Sequence, residues 1–333
     1  MHKKLAVIAL AAAFCVLSAT VLSAGEKKYK IAVVPKDSTD AWFVHMEKGV
    51  RKFARDTGHN AFQKGPAKTD AAQQIQVIED LLSQDIDALC VVPVDPAALE
   101  PVLADAMDRG IVVICHEGAS TENCTYDLEA FKNEDYGAFI MDNLADAMGG
   151  TGVYTTMVAH VTNASHNEWA DGAVKRADEK YPGLILLKAE PRVESEDNPE
   201  RAYEKAKELF KMYPDLKGIV GTSSNDPLGV SRAIEELGLK GKVFVCGTGM
   251  PNESSRSLKN GTLHAITLWD SAKAGEAMCA LAVKVLDGET IVDGANLGVD
   301  GFESIQFEPG SDKILLGNGW IMITAKDVDD YDF

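Results

Sequence analysis

Seven short stretches of polar and aromatic residues carry most of the groups in this chain that could do chemistry. They read PKDSTDAWF (35–43), PVDPAA (93–98), CHEGAS (115–120), AHVTNASHNEW (159–169), TSSNDPLG (222–229), GTGMPNE (247–253) and LWDS (268–271). Carboxylates, amides, hydroxyls and a lysine form hydrogen bonds, and aromatic faces pack against apolar C–H surfaces. This mixture favours the binding of a small polar molecule.

A sugar or polyol fits these groups best, because its ring presents both hydroxyls and an apolar face. Trp42 and Phe43 are adjacent at the start of a helix, so at least one of them should face away from the core. The alternative for Trp42 is packing in the core. The candidate ligand-binding residues in these stretches are Asp40, Trp42, Phe43, His116, Glu117, His166, Asn167, Trp169, Ser224, Asp226 and Trp269.

Other chemistries find less support. Gly149–Gly152 precedes a predicted strand, whereas phosphate-binding glycines follow a strand and open a helix. No GxSxG motif surrounds a serine, so we expect no enzyme and no catalytic residue. His116, Glu117 and Cys115 are adjacent on one segment and are poorly placed to converge on a metal. We expect neither a metal nor a cofactor, and an ordinary loop remains an alternative for His116, Glu117 and His166.

The elements that position these stretches follow a regular alternation. Short apolar runs rich in β-branched residues alternate with amphipathic helical segments from residue 30 to about 286, which predicts an α/β fold with mostly parallel sheets. The predicted strands are Lys30–Val34, Ala88–Val92, Val112–Cys115, Gly152–Thr156, Leu184–Ala189, Gly218–Thr222, Lys242–Cys246 and Ala265–Trp269. The turns after parallel strands lie at one edge of a sheet, so these stretches should share a crevice.

The first 24 residues predict export. Lys3 and Lys4 precede an apolar stretch that ends in small residues, which is typical of a signal peptide (1–24) cleaved near Ala24. The remaining length suits two domains. Removal of the two lysines changes the formal charge from −18 to −20, which disfavours nucleic acid and anionic membranes as partners.

Five cysteines follow the signal peptide, an odd number that leaves at least one thiol free. Cys90, Cys115 and Cys246 lie in or at the end of apolar strand-like runs, where cysteine behaves as a small buried apolar residue. A Cys115–Cys124 bridge is an alternative in an oxidising compartment.

The chain resembles the type I periplasmic binding proteins, in particular the sugar-binding group that includes ribose-, rhamnose- and autoinducer-2-binding proteins. The resemblance rests on the signal peptide, DAWFVHMEKG, VVPVDPAAL and SSNDPLGVSRAIEELG, and extends over the mature chain. IAVVPK, LWD and the closing NGWIMITAKDVDDYDF look closest to the autoinducer-2 and rhamnose branch.

The resemblance implies two Rossmann-like lobes with parallel sheets, joined by a three-crossover hinge. It implies a first lobe of residues 25–130 plus 270–295, a second lobe of residues 131–269 plus 296–333, and crossovers near Ala130–Glu134, Trp269–Ser271 and Asn296. It implies a monomeric periplasmic receptor that delivers its ligand to the membrane permease of an ABC transporter. A ligand sensor for a membrane receptor is the alternative.

By position, the resemblance assigns Lys36, Asn225 and Asp270 to the ligand-binding set, together with Trp42 and Phe43. Most contacts of the autoinducer-2 branch are not kept: its Trp-Asp-Ser-Asp turn is replaced by residues 115–118, and its Asp-Gln pair by Ser165 and His166. We therefore expect a pentose, hexose, deoxysugar or polyol, with autoinducer-2 as the alternative ligand.

Overall fold

The computed structural model describes residues 27–333, and the predicted signal peptide lies outside them. The described chain forms two parallel-stranded sheets flanked by helices, as the alternating pattern predicts. No helix in this part of the chain is long and apolar enough to cross a membrane.

The first sheet has seven strands in the order β12-β13-β5-β4-β3-β1-β2 and is parallel except for β12. Its strands are β1 (Lys30–Val34), β2 (Asn60–Gln63), β3 (Ala88–Val91), β4 (Val112–Cys115), β5 (Tyr126–Glu129), β12 (Gln306–Phe307) and β13 (Ile314–Leu316). Helices α1 (Ala41–Thr57), α2 (Ala71–Leu82), α3 (Pro96–Asp108) and α9 (Ser271–Leu286) pack on this sheet or on one another. We call this unit the first lobe.

The second sheet has the order β14-β11-β10-β9-β6-β7, with β8 also paired to β6, and only β14 is antiparallel. Its strands are β6 (Thr151–Val158), β7 (Gly183–Leu186), β8 (Arg192–Glu194), β9 (Leu216–Gly221), β10 (Phe244–Thr248), β11 (Ala265–Trp269) and β14 (Trp320–Ile323). Helices α4 (Asn133–Met148), α5 (Ala164–Lys180), α6 (Pro199–Met212), α7 (Asp226–Glu236) and α8 (Pro251–Asn260) complete the second lobe, and a 3₁₀ turn follows at Val328–Asp330.

The central strands form because their side chains are buried on both faces. Strand β3 reads ALCV and β11 reads AITLW, and every residue of both is buried. Continuous apolar runs of this kind are typical of parallel strands covered by helices. The helices are closed by side-chain caps such as Asp70, whose carboxylate accepts a hydrogen bond from the backbone N–H of Gln73 and stabilises the start of α2.

The chain passes between the sheets three times. It leaves β5 at Glu129 and enters α4 at Asn133, and it leaves β11 at Trp269 and enters α9 at Ser271. The third passage lies later in the chain than the division between the lobes that was predicted at residue 296. Strand β13 pairs in parallel with β5 of the first sheet, so the chain does not join the second sheet until β14, which pairs with β11. The ladder of β13 on β5, with Leu315 fully buried, holds residues 306–316 in the first lobe.

Candidate functional site

A cavity of about 20 Å³ lies between the lobes, at the ends of the strands where the predicted turns begin. This is close to the volume that holds one water molecule, so a ligand of sugar size requires the lobes or the lining side chains to move. The lining residues are Lys36, Asp40, Trp42, Phe43, Glu117, His166, Trp169, Asp197, Thr222, Ser224, Thr248 and Trp269.

Helix starts position many of these side chains, because each strand-to-helix turn lies at the same edge of its sheet. Asp40 is the N-cap of α1, and its Oδ1 accepts a hydrogen bond from the backbone N–H of Trp42 at 2.8 Å. Asn163 caps α5 in the same way through the N–H of His166 at 3.1 Å. These caps fix the first turns of α1 and α5, which carry the aromatic residues and the histidine of the cavity.

Lys36 and Glu117 form a buried ion pair in the cavity wall. Lys36 Nζ lies 2.5 Å from Glu117 Oε2, and the two side chains are only 2% and 4% exposed. Glu117 has a positive φ of 56°, a conformation uncommon for residues with a side chain. Strained positions of this kind are concentrated at ligand-binding sites. The pair belongs entirely to the first lobe, since Lys36 follows β1 and Glu117 follows β4.

Tryptophans from both lobes pack together at the cavity. The rings of Trp42 and Trp269 meet edge to face, with centroids 4.5 Å apart, and Trp169 meets Trp269 in the same manner at 5.5 Å. Trp42 is 4% exposed, so it is buried and also lines the cavity. Its indole N–H is buried and has no hydrogen-bond partner within the described residues.

Two histidines are buried at the site, and burial lowers the pKa of both. His166 lines the cavity, and its pKa is held well below the usual value by burial and by the charge of Lys36. Because His166 Nδ1 accepts from the N–H of Ala159 at 3.4 Å, the hydrogen-bond pattern assigns the proton to Nε2. This nitrogen can then donate to a ligand.

His116 lies behind the cavity rather than in its wall. Its Nδ1 is 2.5 Å from the carbonyl oxygen of Leu128, and its Nε2 accepts from Trp269 Nε1 at 3.1 Å. This pattern assigns the ring proton to Nδ1. The second of these bonds joins the two lobes, because His116 follows β4 and Trp269 ends β11.

Asn225 joins the lobes at the rim of the cavity. Its side-chain amide donates to Asp40 Oδ2 of the first lobe at 2.9 Å and to the carbonyl oxygen of Asp197 at 3.1 Å. Thr69 of the first lobe also donates to Asp197 Oδ2 at 3.1 Å. Burial, together with the nearby charge of Asp197, raises the pKa of Asp40 to about 6, while the hydrogen bond from Asn225 opposes the shift.

The structure brings together nine of the fourteen predicted ligand-binding residues in the cavity wall: Lys36, Asp40, Trp42, Phe43, Glu117, His166, Trp169, Ser224 and Trp269. The other five lie near the wall with other partners. Asn167 bonds to the carbonyl oxygens of His160 and Asn163, and Asp226 Oδ2 accepts from the N–H groups of Thr222 and Ser223. Asp270 caps α9 and contacts His45 Nε2 at 3.0 Å, and His116 and Asn225 have the partners described above.

Three lining residues were missed from the sequence: Asp197, Thr222 and Thr248. Both threonines belong to stretches identified as polar in the sequence, and the available signal was their place at a strand end: Thr222 follows β9 and Thr248 ends β10. Asp197 precedes α6, outside every predicted stretch, and has a positive φ of 52°.

The remaining alternatives concern metals and disulfides. Within residues 27–333, no group of three or more histidine, cysteine, aspartate or glutamate side chains could hold a metal ion. Cys115 and Cys124 are both buried free thiols, so this structure has no bridge between them.

A larger cavity of about 770 Å³ opens at the passages between the lobes. Phe131, Trp320 and the glycines 301, 317 and 319 form part of its wall, and Trp269 lies in the walls of both cavities. The smaller cavity is the better candidate for a sugar-sized ligand, because buried hydrogen-bonding groups from both lobes converge there.

Comparisons with known proteins give a consistent result. The D-ribose/D-allose-binding protein of Pseudomonas aeruginosa is 26% identical over 303 residues, which cover 85% of this chain and 90% of that protein. The D-allose-binding periplasmic protein of Escherichia coli is 24% identical over 264 residues, covering 76% of this chain and 83% of that protein. The solved structure of LsrB from Clostridium saccharobutylicum in complex with AI-2 is similar in fold, with a TM-score of 0.83, 21% identity, and coverage of 91% of this chain and 100% of that one.

The family model described as "Periplasmic binding protein domain" matches residues 31–290, which include both sheets except for the strands that follow α9. With two parallel-stranded lobes that enclose a polar and aromatic cavity, the chain belongs to the periplasmic binding protein family.

Proposed function

We propose that this protein is the substrate-binding protein of an ABC importer and that it binds a small sugar, deoxysugar or polyol between its lobes. The observation that carries the proposal is the composition of the cavity wall. Four aromatic side chains lie beside carboxylates, hydroxyls and a lysine, and the two lobes each supply part of this set. Such a wall can pack on the C–H face of a sugar ring and bond to its hydroxyls.

The names of the relatives support the same class of ligand. Besides the two allose-binding proteins, a xylitol-binding protein of Mycolicibacterium smegmatis is 25% identical over 229 residues. These are binding proteins, and this chain is likewise a receptor and not an enzyme.

Closure of the lobes is the expected mechanism of binding. Each lobe supplies only part of the contacts, so a ligand that touches both binds the closed form more tightly and shifts the population toward it. The closed, ligand-bound form would then dock on the permease. The same form could serve a membrane receptor, which is the sensor alternative.

Export to the periplasm is part of the proposal. The mature chain should begin near Gly25, because the leader has a basic start, an apolar centre and a small-residue end. N-terminal sequencing of the exported protein checks this, and intact Met1 in a membrane fraction would overturn it.

The ligand class is tested by thermal shift with pentoses, hexoses, deoxysugars, polyols and autoinducer-2, and by native mass spectrometry of the purified protein. We expect a sugar or polyol to raise the melting temperature more than autoinducer-2 does. A group buried without its hydrogen bond costs about 1–3 kcal/mol, so a site of this type discriminates strongly between ligands. A shift with autoinducer-2 alone would overturn the assignment to sugars.

A further inference from the structure

The cavity wall contains more negative than positive charge. Among its lining residues are one lysine and three carboxylates, those of Asp40, Glu117 and Asp197. The ion pair at 2.5 Å already uses Lys36 to neutralise Glu117. The carboxylates of Asp40 and Asp197 have no such neutralising partner, because no lysine, arginine or histidine of residues 27–333 forms an ion pair with either of them.

The partners of these two carboxylates are neutral donors. Asp40 accepts from the amide of Asn225 and from the N–H of Trp42. Asp197 accepts from the hydroxyls of Thr69 and Ser223. The two acids come from opposite lobes, so closure brings like charges together. Burial is the largest cause of the raised pKa of Asp40, and the charge of Asp197 is the second. Both carboxylates are partly buried, and even partial removal of a carboxylate from water without a cation is unfavourable.

A second observation points to a ligand at the same place. Trp42 is nine-tenths buried or more and lines the cavity, yet its indole N–H has no partner in the described chain. A buried donor of this kind requires an acceptor. The neutral imidazole of His166 offers another donor through Nε2. The ligand must therefore present oxygen acceptors as well as a group that suits the two carboxylates.

We propose that the natural ligand is an amino sugar or an amino polyol whose ammonium group binds between Asp40 and Asp197. The hydroxyl oxygens accept from Trp42 and His166, and the C–H face packs against the tryptophans. The ammonium supplies the positive charge that the cavity wall lacks and relieves the repulsion that closure creates. Anionic sugars, such as uronates and sugar phosphates, are excluded by the same charges. This inference rests on the proposed function and narrows its ligand class.

The test compares matched pairs that differ only in an amine for a hydroxyl. Isothermal titration at pH 7.5 would use D-glucosamine with D-glucose, D-galactosamine with D-galactose, and 1-amino-1-deoxy-D-xylitol with xylitol, plus D-glucuronate as the anion. We expect the amine of at least one pair to bind tenfold or more tightly than its neutral partner, and D-glucuronate not to bind.

The possible failures of the two proposals are distinguishable. If a neutral member binds as tightly as its amine, the amine inference is overturned and the proposed sugar-binding function stands. If no member of any pair binds, the amine inference is overturned, and the proposed function is overturned as well only if the wider thermal-shift panel of sugars and polyols gives no binding either.

Variants locate the amine. Asp40→Asn keeps a residue that caps helices well, so α1 should fold normally while one carboxylate is lost. We expect it to reduce the amine preference about tenfold and to change the affinity for the neutral partner less. Asp95→Asn is the matched control, because Asp95 caps α3 but does not line the cavity. An unchanged ratio in Asp40→Asn, or an equal loss in Asp95→Asn, would overturn the assignment.

Trp42→Phe tests the proposed contact between the indole N–H of Trp42 and a hydroxyl of the ligand. It removes the N–H and keeps an aromatic ring, so the affinity for both members of a pair should fall by the same factor while their ratio is unchanged. Equal affinities in wild type and Trp42→Phe would show that the indole N–H does not contact the ligand and would remove that support for hydroxyl recognition.

Discussion

Replacement of Lys36 by Met should destabilise the protein strongly, because it leaves the carboxylate of Glu117 buried without its cation. The two groups are 2.5 Å apart and almost fully buried. At an effective dielectric constant of about 20, Coulomb's law gives about 7 kcal/mol of attraction at this distance, most of which offsets the dehydration of the two charges. Removing one partner cancels the attraction and retains the dehydration of the other. We expect a loss of about 3–5 kcal/mol in the free energy of unfolding.

Urea unfolding followed by far-UV circular dichroism measures the effect. The double variant Lys36→Met with Glu117→Met should recover most of the stability, because two apolar side chains of similar length replace the pair. Arg51→Met is the matched control: its partner Glu47 is on the same exposed helix face, where an ion pair contributes less than about 1 kcal/mol. A change below 1 kcal/mol in Lys36→Met, or a double variant less stable than the single one, would refute the reasoning.

Three further results are expected. Trp42→Ala should weaken ligand binding by about 1–3 kcal/mol in calorimetry, since its ring lines the cavity, and unchanged affinity would mean that the ring serves only the core. Saturating ligand should reduce the radius of gyration in small-angle scattering because the cavity lies between the lobes, and an equal radius with and without ligand would indicate a rigid site. Burial raises the pKa of Asp226 and of Asp127 to about 7, so the folded protein keeps protons that the unfolded chain releases above pH about 4. Below about pH 7 the buried His116 and His166, whose pKa values are lowered by burial, oppose this effect, because the unfolded chain protonates them more readily. The free energy of unfolding should therefore fall as pH rises from about 7 to 8, and equal or greater stability at pH 8 than at pH 7 in urea unfolding would contradict this.

The central strands were predictable because burial on both faces leaves a clear signal in the sequence. All eight predicted strands correspond to strands in the structure, and three of them, Lys30–Val34, Val112–Cys115 and Ala265–Trp269, have the predicted bounds. Most of the strands that were not predicted are short and partly exposed, whereas β5 is largely buried but reads YDLE and lacks an apolar run. Strand β2 at the edge of the first sheet has one buried residue in four, and β12 has two residues, neither of them buried. Such segments lack the apolar run that identifies a strand.

The assignment of the last 38 residues to the two lobes could not be predicted from the sequence, because it depends on which strand pairs with β13. The segment Ile314–Leu316 reads ILL and suits either sheet. Pairing with Asp127–Glu129 of β5 selects the first sheet, and β5 is absent from the predicted strands. An unrecognised strand therefore led to a wrong lobe for the segment that pairs with it.

The site was predictable to the extent that strand ends determine it. Lys36, Glu117 and Ser224 each lie two or three residues after the end of a buried strand, and parallel strands bring such residues to one edge. Asp197 follows the short strand β8, whose apolar signal is a single valine. Its contact with Thr69 joins residues of different lobes, so only the closed arrangement places it at the cavity.

Trp269 connects the site to the motion of the lobes. It ends a strand of the second sheet, while Ser271 begins a helix on the first. Its ring packs on Trp42 and its N–H donates to His116, both of the first lobe. An edge-to-face pair and a hydrogen bond each contribute about 0.5–1.5 kcal/mol. Opening the lobes separates these groups, so part of the free energy of closure comes from the protein itself. The ligand supplies the remainder of this free energy. Because Asp40 and Asp197 repel each other in the closed form, a ligand that carries positive charge should contribute most to closure.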